Sequence, residues 1–542
     1  MAAARITPDE DHSPNCLRSC GTIRRSRPAE LLLLWFLCLA GVFVAPGVQA
    51  AEPGDPFAML VAKRDGVGIG LYRTDGQSAG TTKILNFSTN TSELDLFRIS
   101  FHVLKQSGAL VLDRQVGLRQ AGVYLVDAVG APRRITFDRT LRFATSVKPV
   151  RVVDGRLFFL VDNAFLYHTD GTDRGTHRTV SPAIVRFVDV FPFEDRYILM
   201  TNESDGKSSP TRGRLYSLDI DSRRLELFYA FPSDRGWILE LDEIGWRSNE
   251  PGSPSAVVGV DGDRFVFTRS GGATRGLWVS DGTAAGTHKL LAGTVVPENT
   301  EKFIPFGPRA LFIGDSIKGD ELWTTDGTPA GTRRLRDIWV GNESSEIDPE
   351  KIVFHADKAY FLARTAPYDR GLWVTDGTSA ATKPVRTEVN GLRIRMLPYY
   401  RTEPSSELAL IGNEIFFAGT LMEGSCTPTS IDACRFTTGL YSYNVVTQIT
   451  SKRATASRYR CLLADGREVI GGSYGDLRAI GSKLLFSSTG FGASDPSIAC
   501  DPGSNANAEP WVFDTLTNRA RLLKEINPGR ESSDPYLLGG RQ

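Results

Sequence analysis

An excess of either charge is missing from this sequence. Over 542 residues, Lys+Arg and Asp+Glu both number 63, so the formal net charge is zero. With no basic stripe or arm, a nucleic-acid partner that needs several phosphate contacts is excluded. Long helical periodicity is missing too, which leaves strands as the repeating element. Histidine is scarce, with six copies. His177 and His288 follow the Gly-Thr of a repeat and belong on outer strands, while His102, His168 and His355 stand isolated from one another. No zinc spacing, nucleophile elbow or phosphate loop is present, so neither a metal nor a cofactor is expected.

The longest apolar run, Leu31 to Ala45 (LLLLWFLCLAGVFVA), falls short of the roughly 20 residues needed to cross a bilayer core. Arg24, Arg25 and Arg27 precede it, and Val48-Gln49-Ala50 follow with small residues at the positions a signal peptidase reads. Residues 1–50 therefore read as a signal peptide cleaved near Ala50. After cleavage no stable membrane span remains, and the mature chain is expected in the periplasm or outside the cell. Four cysteines then remain: Cys426, Cys434, Cys461 and Cys500. An even number in an exported chain suggests disulfides. Of the three connectivities, Cys426 with Cys434 and Cys461 with Cys500 is favoured because the first pair closes a short loop; free buried thiols are the alternative.

What the chain has is Gly (53), Pro (29) and a 10% aromatic content, a composition that suits many short strands and tight turns. One stretch organises them, Glu321 to Thr332 (ELWTTDGTPAGT). Clear versions recur at Leu71 (LYRTDGQSAGT), Leu166 (LYHTDGTDRGT), Leu277 (LWVSDGTAAGT) and Leu372 (LWVTDGTSAAT), with looser ones at Val123, Leu215, Leu440 and Trp511. An apolar strand such as Arg156 to Asp162 (RLFFLVD) or Ala310 to Gly314 (ALFIG) precedes each. The count is about nine units at a period of roughly 45 to 70 residues, the range of propeller blades with loop insertions. The Leu-Trp pair points to opposite faces of its strand, so both faces are to be buried, which radial stacking achieves.

The reading is all-β: a β-propeller of about seven to nine four-stranded blades over residues 51–542. The first unit begins almost directly with Phe57 to Lys63 (FAMLVAK) and lacks an inner strand. At the other end, NPGRESSDPYLL resembles the segment at Val340 that precedes an apolar strand, yet no such strand follows it. Pro535 to Gly539 is therefore expected to supply the inner strand of the first blade and close the ring.

The L-W-x-[ST]-D-G-T core at Leu277, Glu321 and Leu372 resembles the ELWxxDGT repeat proteins, an exported bacterial family. The resemblance implies tandem β-repeats, most simply a propeller, and no established activity. The copies at Leu215, Leu440 and Trp511 resemble blades of TolB-type propellers. The Asp-box of sialidases orders its residues differently, and no sialidase activity is carried over.

The repeated aspartates Asp75, Asp170, Asp281, Asp326 and Asp376 are the obvious candidates for chemistry. Each precedes Gly, where a carboxylate accepts from the backbone two residues on and Gly supplies a positive φ. A structural turn is expected, because each copy offers one carboxylate and calcium needs several oxygens. Asp219 and Asp221 come nearest to a metal loop but lack its Gly and distal Glu. Ligand-binding candidates lie instead on the opposite rim, whose loops vary: Trp237, Asp242, Glu243 and Trp246 in one, Tyr399, Tyr400 and Arg401 in another. The alternative is that these aromatics pack the loops down. The expected role is a non-catalytic binding or protein-interaction module, monomeric, taking a protein or carbohydrate ligand. A glycan or ester hydrolase with carboxylates in the central funnel and a structural surface protein are the alternatives.

Overall fold

Short β-branched and aromatic runs joined by tight turns fold back on themselves as antiparallel meanders. The computed structural model describes residues 57–541 outside the segments 65–67, 88–98, 105–107, 115–118, 127–131, 137–138, 180–185, 205–209, 222–223, 233–236, 239–256, 271–272, 292–301, 315–318, 368, 397–406, 425–433, 455–459, 464–467, 471–472, 490–497, 501–508, 525 and 527–535. Nine sheets form among the described residues, seven of four strands, one of five and one of nine. Blade 6 is representative: Phe303–Phe306, Arg309–Gly314, Glu321–Thr325 and Arg333–Arg334 lie side by side in sequence order, from inner to outer strand. No helix among the described residues is long and apolar enough to cross a membrane.

Leu322 and Trp323 point to opposite faces of that sheet and meet different blades. Leu322 packs with Phe361 and Trp373 of blade 7, whose strands begin at Val353. Trp323 packs with Val260, Val266 and Val279 of blade 5, the sheet built on Val257–Val260, Arg264–Ser270 and Gly276–Ser280. The same division holds one blade on, where Leu372 faces blade 8 and Trp373 faces blade 6. Nine apolar clusters result, each drawn from two consecutive blades. The last joins Leu485 and Val512 of blade 9 to Leu60 and Tyr72 of blade 1. Nine interfaces for nine sheets make a closed ring, larger than the typical four to eight blades.

Closure is completed in the first sheet. Phe57–Arg64, Gly68–Thr74 and Thr82–Asn86 follow one another outward, and the inner position is filled by Tyr536–Arg541 from the other end of the chain. Phe57, Ala58 and Met59 pair with Arg541, Gly540 and Gly539, and Leu60 and Val61 with Leu537 and Tyr536, across a bulge. The closing strand thus begins one residue beyond Pro535 and runs to Arg541 rather than Gly539.

Blade 8 departs most from the plan. Its strands Glu414–Gly424 and Cys434–Asn444 are long, and additional strands extend the sheet. Leu392–Arg395 pairs along one side through Ile394 and Leu421. On the other side Glu468–Ile470 runs parallel to the third strand, followed by Arg460–Leu463 and Ile498–Cys500. The last two are registered so that Cys461 and Cys500 are direct backbone partners. Antiparallel partners lie about 4.5 to 5.5 Å apart at Cα, within the span a disulfide covers.

Candidate functional site

The two rims of the ring are built differently, and the repeated motif makes one of them. After the third strand, Asp326 Oδ1 accepts from the amide of Thr328 at 2.9 Å and from its hydroxyl at 2.7 Å. Thr328 Oγ1 in turn accepts from the Gly331 amide, and its carbonyl accepts from the Thr332 hydroxyl. The hydroxyls of Thr325 and Thr332 close the turn at 2.7 Å. The copies at Asp170, Asp281 and Asp376 repeat this set, and the copy at Asp75 retains the bond to the amide two residues on. Burial by itself raises the Asp326 carboxyl; the bonds from Thr328, its own amide and the charge of Arg309 outweigh burial and hold it below the ordinary carboxylate value.

Gly327 has φ of 81°, which glycine adopts without strain. A Cβ there would come within 2.8 Å of Val260 in the preceding blade. At Gly331 an added Cβ would press on the Asp326 carboxylate at 2.0 Å. The fifth copy has Ala381 at that place, and its amide bond to Thr378 lengthens to 3.3 Å.

Three of the turns also touch a basic residue that opens the second strand of the blade before them. Arg309 donates to the Gly377 carbonyl and Lys483 to the Asp75 carbonyl, while Arg196 lies beside Gly282. The aspartates and their glycines are thus engaged in the turn and in the joint between blades.

The inner strands of neighbouring blades meet one another, and bulges in two of them bring charge between them. In blade 3 (inner strand Val147–Val153) the register shifts between Pro149 and Arg151, and in blade 4 (Arg186–Phe193) between Phe187 and Asp189. Arg151 pairs with Asp189 at 3.3 Å and reaches the carbonyls of Val190 in blade 4 and Val257 in blade 5. Asp189 is 2% exposed. Burial pushes its carboxyl up to about 6, against the pull of Arg151 and of the Val190 amide. A carboxyl raised in the fold above its unfolded value near 3.9 penalises folding once ionised. The penalty is absent below about pH 4, grows through the window to about 6, and is complete above it. Urea unfolding of wild type and Asp189→Asn should therefore show wild type losing roughly 3 kcal/mol relative to the variant between pH 4 and 7. A constant difference across that range would refute the assignment.

Blade 2 contributes Ser100 and His102 on one inner strand, with Ser100 Oγ 2.8 Å from His102 Nε2. Burial lowers His102 to about 3, so the ring is neutral at ordinary pH.

The opposite rim carries the loops that vary. On blade 6, Glu321 is fully buried and its Oε1 accepts from the amide of Trp339, fastening the 337–345 turn; burial raises the carboxyl, and the Ser345 hydroxyl and the amides of Ile338 and Trp339 lower it. In blade 9 Glu509 makes the same bond, accepting from the Ile526 amide at 3.1 Å.

Charge concentrates at this rim between blades 7 and 8. Arg364 and Arg370 stand directly opposite each other across its second and third strands. Arg364 binds the Glu346 carboxylate at 2.6 Å, and Arg370 binds the Glu346 carbonyl at 3.0 Å. Next to Arg370, Asp369 receives Arg393 at 3.2 Å, Arg395 at 3.7 Å and the Thr365 hydroxyl at 2.8 Å. The strand bearing Arg393 and Arg395 is tied to this corner by the Met396 amide, which donates to the Arg370 carbonyl.

Of the residues the sequence singled out on this rim, Trp237 lies on the short strand Trp237–Ile238, paired with Ser270 and Arg269. Asp242, Glu243, Trp246, Tyr399, Tyr400, Arg401 and Cys426 lie outside the described residues. Among the described residues no group of three or more His, Cys, Asp and Glu is placed to hold a metal ion. Sequence reasoning missed Arg151, Asp189 and the arginines between blades 7 and 8. The alternation Arg393-Ile394-Arg395 on a strand, placing two cations on one face, was the available signal.

No family model matches the chain, and no curated protein matches it. Solved structures do. It is similar to a puromycin hydrolase (14% identity, TM-score 0.36, 74% of this chain and 62% of that one) and to Porphyromonas gingivalis dipeptidyl peptidase 4 (10%, 0.40, 86% and 59%). It is also similar to an oligogalacturonate lyase from Vibrio parahaemolyticus (11%, 0.33, 82% and 97%). The chain spans about three fifths of the length of the first two. At such identities and scores the likenesses carry no argument about activity, and the propeller stands on its own sheets and interfaces.

Proposed function

We propose that the chain is an exported binding propeller of the ELWxxDGT type that takes a protein or carbohydrate ligand on its variable rim and does no chemistry on it. The observation that supports this reading is the asymmetry of the rims. On one, Asp326 and its counterparts are engaged in turns and blade joints; on the other, Arg364, Arg370, Arg393 and Arg395 gather around Glu346 and Asp369 at strand ends between blades 7 and 8. Ligand contacts belong where a rigid scaffold presents loops that differ from blade to blade. Export brings with it the Cys461–Cys500 bridge that the strand register accommodates. The test is a glycan and peptide array probed with the mature chain and with the Trp237→Ala, Trp246→Ala double variant. Capture by the parent and at least tenfold weaker capture by an equally stable variant is expected. Equal capture removes these tryptophans from the site.

A second reading, hydrolysis among the inner strands, takes Asp189, held there against Arg151 at 3.3 Å with a carboxyl raised to about 6, as a general base close to neutrality. Turnover of p-nitrophenyl esters or glycosides that falls at least 100-fold in Asp189→Asn would favour it over the binding role. A parent chain inert on both ends it.

A further inference from the structure

We propose that the ring carries a pH-sensitive device at two places, the joint between blades 3 and 4 and the joints on either side of blade 8, where Asp189 and Glu407 hold neighbouring blades together when protonated and loosen them when ionised. The motif turn supplies the contrast. Gly76, Gly282, Gly327 and Gly377 each lie so close to a side chain of the preceding blade that a Cβ would clash with or press on it, and so seat four joints from the rim. In blades 4, 8 and 9 the residue at that place is Ile220, Val445 and Thr515. The joints these three blades make with the blade before them lack the seated glycine, and there the inner strands carry a carboxylate between blades.

Asp189 lies beside the bulge in the inner strand of blade 4, 2% exposed, and faces Arg151 of blade 3 at 3.3 Å. Its Oδ1 accepts from the Val190 amide at 2.8 Å, and its Oδ2 is buried without a hydrogen bond. Glu407 is partly buried and immediately precedes the inner strand Leu408–Ile411 of blade 8. It accepts from the Leu477 amide of blade 9, where the inner strand Ser473–Ile480 shifts register between Gly475 and Arg478. Lys351 and Asp348 reach it from blade 7, and Arg478 from blade 9. The glycine-seated joint of blades 6 and 7 differs: there Glu350 meets Lys302 at 2.6 Å with both side chains more than a fifth exposed, so the pair stays hydrated.

Burial raises both carboxyls. Arg151 and the Val190 amide oppose the rise at Asp189; Lys351, Arg478 and the Leu477 amide oppose it at Glu407, and Asp348 adds to it. A carboxyl raised in the closed joint favours closure while it keeps its proton and opposes closure once ionised, because water solvates the charge better than the joint does. The opposition is absent below the ordinary carboxylate value, grows as pH rises through the raised one and is complete above it. Loosening a joint leaves the four-stranded sheets intact, since their ladders run within blades.

The experiment is amide hydrogen exchange of the purified full chain between about pH 4.5 and 7.5, each rate divided by the intrinsic rate at that pH. The Val190 and Leu477 amides report on the two carboxylates. The Asp261 amide, which donates to the Pro308 carbonyl across the seated joint of blades 5 and 6, is the reference. Opening at Val190 and Leu477 is expected to rise at least tenfold over this range, the factor for one unit of raised pKa, with less than about a threefold change at Asp261. Asp189→Asn should flatten the rise at Val190 alone, and Glu407→Gln the rise at Leu477 alone. Opening independent of pH in the parent, or a rise that survives the substitution at its own joint, overturns the device there. An equal rise at Asp261 assigns the effect to the ring as a whole and overturns the selective joints. Should a variant fail to fold, the contrast within the parent between Asp261 and the other two amides still decides.

Discussion

A chain ending before Ser533 is expected to lose on the order of 5 kcal/mol of stability, at about 1 kcal/mol for each of the five registered backbone pairs lost. The reason is topological. The other four-stranded sheets order their strands as they follow one another along the chain, so the inner edge of each is joined to its own neighbours in sequence. Blade 1 takes its inner strand from residues 536–541, and the pairing of this strand is what converts a row of stacked blades into a ring. In a stacked array, stability is approximately a sum over units and interfaces. Removing the closing strand exposes one edge of Phe57–Arg64 and weakens the joint between blades 9 and 1, where Leu60 packs with Leu485 and Val512. Loss of cooperativity in a thermal melt, with blade 1 unfolding first, is the expected signature. A truncated chain that melts like the parent would show that the strand is ornamental.

Trp323→Ala is expected to cost about 3 to 5 kcal/mol, the usual range for emptying a buried aromatic site. Trp323 is 6% exposed and stacks on Phe312 at 6.1 Å between ring centroids, with 24° between planes. The void would open in the interface between blades 5 and 6, away from the ring closure, so the loss reports on an interface made by the motif itself. Val340→Ser is the control, since Val340 is 82% exposed and such surface changes usually stay within about 0.5 kcal/mol. Urea unfolding separates the two. A loss below 1 kcal/mol in Trp323→Ala would mean that blade stacking does not depend on the motif tryptophan.

What could be read in the sequence follows from which features are local. The Asp-Gly turn and the Leu-Trp strand repeat because each is determined by residues within a dozen positions. Even the looser copies keep strand and turn. Asn444 and Asp514 each accept from the amides two and three residues on, as Asp326 does from one. The missing inner strand near Phe57 and the surplus segment near the end were legible for the same reason: a count of strands per unit left one absent and one over.

Contacts between blades left no such local trace. The basic residue opening the second strand, as at Arg309, looks like ordinary strand punctuation until the ring places it against Gly377. Arg151 and Asp189 are brought together by two bulges in strands 39 residues apart, and bulge positions are set by packing. The arginine corner depends on Glu346 arriving from the connection before the inner strand of blade 7. The extension of blade 8 is built from runs of three and four residues, too short to announce themselves as strands.

The central claim is that one ring, closed by its own C-terminal strand, carries everything else. Hydrogen exchange of the amides from Phe57 to Val61 tests it most directly. In the intact chain this strand is paired along both edges, with Gly68–Thr74 on one side and Tyr536–Arg541 on the other. Amides facing either neighbour should therefore be protected together, at the level of the blade core. Removing residues 533–542 should release the half that faces the closing strand and leave the other half protected. Rapid exchange of that half in the intact chain would contradict the closed ring.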